Sequence, residues 1–131
     1  MKVDIAIGEV FDRITILDLK IKNINDASRL SYIEAEKAML LKALEEEKIE
    51  IETHLYNPLF LINSKIWDTE AGFRDKESKK EFDNEFIKFA RLNARYNDER
   101  FIMKRKINEH YGSEIREQKS YDALYEENNS D

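Results

Sequence analysis

The sequence predicts an all-α fold, an antiparallel helical bundle or elongated helical hairpin of about five helices, and three observations predict it. Only three glycines and one proline interrupt 131 residues, so helices have few places to stop. Apolar residues recur at steps of three and four along most of the chain. Charged residues make up 38% and fill the positions between, which suits the solvent faces of amphipathic helices.

The elements follow in order. Lys2 to Ile7 alternates in polarity and reads as an extended lead. Val10, Ile14, Leu17, Ile21 and Ile24 mark a first helix over about 8–24, with Glu9 where the N-terminal dipole favours an acid and Arg13 four positions on. Asp26 or Ser28 can cap a second helix carrying Leu30, Ile33, Leu40, Leu44 and Ile51. Asn57 and Pro58 look like a cap and first turn of a third helix over about 58–73, because proline lacks only an N–H that is unpaired there. Gly72 and the charged run Asp75 to Lys80 suggest the next connection. Phe82, Phe86, Phe89, Tyr96, Met103 and Ile107 then define a long helix from about 79 to 111, roughly 50 Å at 1.5 Å per residue, ending at Gly112. Ser113 can cap a last short helix with Ile115, Tyr121 and Leu124. One helical domain over 1–125 with a disordered tail at 126–131 is the expected organisation.

Charge and composition exclude several classes of function. A net charge of -6 argues against general attraction to nucleic acid or to anionic membranes. No stretch approaches the roughly 18–20 apolar residues of a membrane span. Without cysteine there is no disulfide framework and no thiolate chemistry, and the N-terminal residues lack the apolar run of a signal peptide, so a cytoplasmic protein is expected. Phosphate loops, nucleophile elbows and H-E-x-x-H are absent, and His54 and His110, each near a helix end, read as structural.

Two polar stripes stand out. Asn63, Trp67, Glu70 and Arg74 form one line down the third helix, and Asn93, Asn97, Arg100 and Lys104 repeat its spacing on the long helix, continued by Asn108. Amides, a carboxylate, cations and an indole are the groups that could surround a small phosphorylated ligand between helices, or else form a buried polar network. Between Lys88 and Lys106 seven basic residues face two acidic ones, Asp98 and Glu99. Pairing of this face with the acidic Glu45 to Glu52 segment is the simplest expectation. Glu9, Asp12 and Glu70 offer hard oxygen ligands for Mg²⁺, although the paired E-x-x-E and E-x-x-D motifs of helical pyrophosphatases are incomplete.

Three segments carry a resemblance: GEVFDRITILDLKI at 8–21, NSKIWDTEAGFRDKE at 63–77, and FDNEFIKFARLNARYNDERFIMKRKIN through GSEIREQKSY over 82–121. The chain resembles an uncharacterised family of small bacterial and phage-borne proteins, a domain of unknown function, with Arg13 at a position where lysine is expected. The resemblance implies no catalytic residues. It hints at surface-glycan or sugar-nucleotide metabolism and draws attention to Glu9, Asp12, Arg13, Thr15, Trp67, Glu70, Arg74, Asn97, Arg100, Lys104, Asn108 and Lys119.

The leading expectation is a helical binding module, a homo-oligomer, for a phosphorylated sugar or nucleotide. Arg74, Arg100 and Lys104 would hold phosphate, Glu70, Asn93 and Asn97 would read hydroxyls or amides, Trp67 would form an apolar wall, and Asn108 would extend the line. A structural or adaptor protein is the alternative, and a Mg²⁺-dependent nucleotide hydrolase the second; only the last needs a cofactor.

Overall fold

A computed structural model describes residues 1–124 and shows four helices, α1 (Ile7–Asn23), α2 (Ala27–Glu46), α3 (Thr53–Lys79) and α4 (Asn84–Tyr111). The all-α expectation holds; residues 125–131, and with them the expected tail, lie outside the described part. No described helix is long and apolar enough to cross a membrane.

The frame is an α3–α4 hairpin about 40 Å long at 1.5 Å per residue, against whose lower half α1 packs. Its apolar stripe supplies Val10, Phe11 and Ile14 to a core completed by Leu44, Leu59, Ile62 and Ile107. Burying side chains of this size contributes roughly 1.5–3 kcal/mol each. α2 touches α1 alone and buries only Leu44, so the expected pairing of its acidic end with the basic face of α4 does not occur. Arg100 and Lys104 of α4 meet carboxylates of α1 and of the C-terminal segment instead, and Arg95 and Arg105 pair with Glu99 and Glu109 of α4 itself.

Several boundaries differ from the sequence reading for local reasons. Asp26 caps α2 through Arg29 N, but α2 stops at Glu46 because Lys48 enters the left-handed region, which turns Ile49 and Ile51 back onto the core. α3 starts at Thr53, so Asn57 and Pro58 lie inside it. Proline there deprives the His54 carbonyl of its donor four residues on, a loss that tertiary packing on Leu55 and Leu59 outweighs. Gly72 does not break α3. A Cβ on it would stand 2.5 Å from the Phe89 ring, so glycine here serves the close approach of α3 and α4.

The true connection is Lys80–Asp83, with Lys80 left-handed and Asp83 capping α4 through Phe86 N. Lys76 clamps it by pairing with Glu81, Asp83 and Glu85. The tip is closed by Phe86 edge-on to Phe73 at 4.9 Å and to Phe82 at 5.2 Å. Gly112, with φ 66°, ends α4 as expected.

Beyond it there is no fifth helix among the described residues. Residues 113–124 form an irregular strap, pinned where Ser113 Oγ donates to Ile115 O and where Leu124 N donates to Asp98. Ser113 Oγ also accepts from Ile7 N, so it serves the N-terminus of α1 and not a helix of its own.

Candidate functional site: a polar seam and a cavity under the strap

α1 approaches α4 more closely than side chains would allow. A Cβ on Gly8 would lie 2.5 Å from the Lys104 carbonyl, and Gly8 N donates to Asn108 Oδ1 at 2.6 Å. Ala6 provides no side-chain cap, so α4 and the strap satisfy the first amides of α1.

One turn further, Asp12 is 1% exposed and carries the central charge of the seam. Arg100 grips it with both arms: Nε donates to Oδ1 at 2.8 Å and the terminal nitrogen to Oδ2. Asn63 from α3 donates to Asp12 Oδ1 at 2.9 Å and to Thr15 Oγ1 at 2.7 Å. Hydrogen bonding to Asp12 raises the Arg100 pKa above its already high value; burial opposes this, while Asp12, Glu9 and Glu117 add attraction. Arg100 is therefore a permanent cation. Lys104, with 9% of its side chain exposed, reaches Glu9 at 2.7 Å and Glu117 of the strap at 3.3 Å.

This seam holds α1, α3, α4 and the strap together. It also separates the predicted site residues. Asn97, Arg100 and Lys104 line a cavity of about 240 Å³ with Phe101, Glu117 and Lys119. Trp67, Glu70, Arg74 and Asn93 do not line it. Trp67 is partly buried on α3, Glu70 and Arg74 pair with each other at 2.9 Å on an exposed face, and the Asn93 carbonyl accepts from Asn97. Asn108 is buried as the cap of α1. Of the two stripes Asn63 and Arg100 meet on Asp12, while Lys104 and Asn108 turn to α1. Glu9, Asp12 and Glu70 do not gather as metal ligands: among the described residues only Glu52, His54 and His110 do so.

The residues that seam the elements fall in the three segments that carried the resemblance, and residues 1–129 match the profile of a family of unknown function. The chain belongs to DUF6165. No curated protein and no solved structure matches it. In this DUF6165 chain Gly8 and Asp12 of the first segment and Arg100, Lys104 and Asn108 of the third have clear physical roles in joining α1 to α4.

Sequence reasoning missed Phe101 and Glu117 as cavity walls, since neither lies on a polar stripe and Glu117 arrives on an irregular strap. A second cavity of about 490 Å³ adjoins through shared walls Phe101 and Lys119, and is completed by Ile102, Arg105, Gln118, Tyr121, Asp122 and Ala123. The basic start of α4 has a groove of its own, about 390 Å³, between Asn84, Ile87, Lys88, Arg91, Leu92 and Arg95.

Proposed function

We propose that this chain is a binding module for a small phosphorylated metabolite held between α4 and the strap. The observation that carries the reading is a pair of cavities that share Phe101 and Lys119 as lining residues. The smaller is lined by three cations, Arg100, Lys104 and Lys119, one amide and one carboxylate, Glu117, with Arg100 held from behind by Asp12 and Lys104 by Glu9. Its size suits a phosphoryl group, being below the roughly 300 Å³ at which whole-ligand pockets begin. The larger offers Phe101 and Tyr121 beside polar Gln118 and Asp122, the mixture that accepts a sugar or base ring.

Glu117 is the group the ligand must displace. It sits on the strap, 3.3 Å from Lys104 and 3.4 Å from Lys119, where an incoming phosphoryl oxygen would take its place. A cytoplasmic location, where phosphorylated metabolites are held, accords with this role, and the acidic chain is ill suited to nucleic acid.

Lys119 is the residue to test, because it does not hold the seam: its contacts are Glu117 and the face of Phe101. A thermal-shift panel of inorganic phosphate, sugar phosphates, nucleotides and sugar nucleotides should raise the melting temperature with one class, and Lys119→Glu should remove that rise. Flat responses at millimolar concentration across the panel would sink the proposal.

A second reading, self-association, rests on α2. Tyr32, Ala35, Met39 and Ala43 form an exposed line at steps of three and four, with Tyr32 79% and Met39 72% exposed. A second copy of this chain is the partner that such a narrow stripe fits. Sedimentation equilibrium should show a dimer that Tyr32→Glu with Met39→Glu dissociates; a monomer at all concentrations would remove this reading.

A further inference from the structure

The two histidines, 56 positions apart in sequence, meet where the N-terminus of α3 crosses the C-terminus of α4. His54 lies in the first turn of α3 and His110 in the last turn of α4, with ring centroids 5.8 Å apart. Glu52 directs its carboxylate between them: Oε2 stands 2.6 Å from His110 Nε2 and 3.8 Å from His54 Nε2.

Glu52 precedes Thr53 as the N-cap residue of α3, yet its side chain does not cap the helix. Its Oε2 is shielded from solvent and faces the two imidazoles, while the Glu52 side chain as a whole is 43% exposed. Here three Lewis-basic atoms, two imidazole nitrogens and a carboxylate oxygen, lie within 4.8 Å of one another.

We propose that Glu52, His54 and His110 bind a divalent transition-metal ion of the Zn²⁺ type. Two imidazoles and one carboxylate suit a borderline ion better than Mg²⁺ or Ca²⁺, which prefer oxygen throughout. Bonded at about 2.0–2.2 Å around one tetrahedral ion, ligand atoms stand roughly 3.4 Å apart. The present separations of 2.6 and 3.8 Å fall on either side of that spacing, and all three atoms lie within 4.8 Å of one another.

Support behind the ligands is already built. Tyr111 Oη accepts from Glu52 N at 3.2 Å and donates to Glu50 O at 2.6 Å, fixing the turn that carries the carboxylate. The Tyr111 ring meets the His110 ring edge-on at 4.7 Å and packs on Phe11 of the core at 5.3 Å. Three protein ligands leave a fourth position to water, and the ion would tie the start of α3 to the end of α4. None of these residues lines the strap cavities, so this site is independent of the proposed ligand.

The test is titration of chelator-treated full-length protein with ZnCl₂ by calorimetry, paralleled by CoCl₂ with visible absorption of the bound ion. One ion per chain is expected, with affinity falling at least tenfold in His54→Ala and in His110→Ala and declining on acidification, because protons compete for the imidazole nitrogens. Zn²⁺ should also raise the melting temperature of the wild type and not of the variants, whose substituted side chains are exposed and whose circular dichroism should match the wild type. No binding by the wild type at 100-fold excess of metal, or equal binding by the His54→Ala/His110→Ala double variant, would overturn the proposal.

Discussion

Replacing Arg100 by alanine tests the seam at its centre. The substitution removes both charge-assisted hydrogen bonds that Arg100 makes to Asp12 and leaves a carboxylate that is 1% exposed with only the Asn63 amide. Removing one partner of a buried ion pair costs about 3–5 kcal/mol. Because the Arg100 side chain is itself 27% exposed, water can enter where it stood, so the lower end of that range, about 3 kcal/mol, is the expected loss. Asp12→Leu combined with Arg100→Met removes both charges and should be less destabilised than Arg100→Ala, since no unpaired carboxylate remains. Urea denaturation of the single and double variants, with unchanged m-values as the control, reads the difference. A loss below about 1 kcal/mol for Arg100→Ala, or a double variant less stable than the single one, would refute the reasoning.

Three further outcomes follow from the contacts. Gly8→Ala should destabilise by about 2 kcal/mol in urea despite the better helix propensity of alanine, because its Cβ would press on the Lys104 backbone carbonyl, which cannot rotate away. The Tyr56 hydroxyl donates to Asp18, and burial, that hydrogen bond and the Asp18 charge, in that order, raise its pKa above the ordinary 10.0. Its stabilisation is therefore complete below about pH 10 and is lost as pH rises towards the raised folded value, so Tyr56→Phe should flatten the alkaline fall in stability followed by circular dichroism. At the hairpin tip the Lys76 ammonium, then the Phe86 amide, hold the Asp83 pKa below its usual 3.8; that contribution is present above this value and disappears as pH falls through the lower folded one, and since Asp83 is exposed, added salt should weaken it in NMR titrations.

Much of the architecture was legible because it is local. The periodicity of Val10, Ile14 and Leu17 places the buried face of α1 correctly, and the cap at Asp26 and the stop at Gly112 need only neighbours in sequence. Where the reading failed, a tertiary contact decided. Pro58 is tolerated within α3, and Gly72 responds to Phe89, a residue on another helix. Ser113 looked like a helix cap because its hydroxyl needs an amide nearby; the amide it found belongs to Ile7.

The candidate site divides along the same line. Asn97, Arg100 and Lys104 share a helix face and line one cavity, since that grouping is a property of one helix. Trp67 and Arg74 share a face of α3, but how α3 sits depends on Gly72 against Phe89 of α4 and Asn63 against Asp12 of α1, which no spacing rule conveys. Glu117 and Lys119 enter on an irregular strap without periodicity. His54 and His110 were separated by two helices in sequence, and only the hairpin geometry brings them together.

The central claim concerns where a phosphorylated molecule sits. Amide chemical-shift mapping of the full chain during titration with a sugar phosphate tests it most directly. The account predicts shifts concentrated on Asn97 to Lys104 and on Glu117 to Tyr121, with Glu117 released from Lys104, and their loss in Lys119→Glu. Shifts confined to the groove of Lys88, Arg91 and Arg95, or none at millimolar ligand, would contradict it.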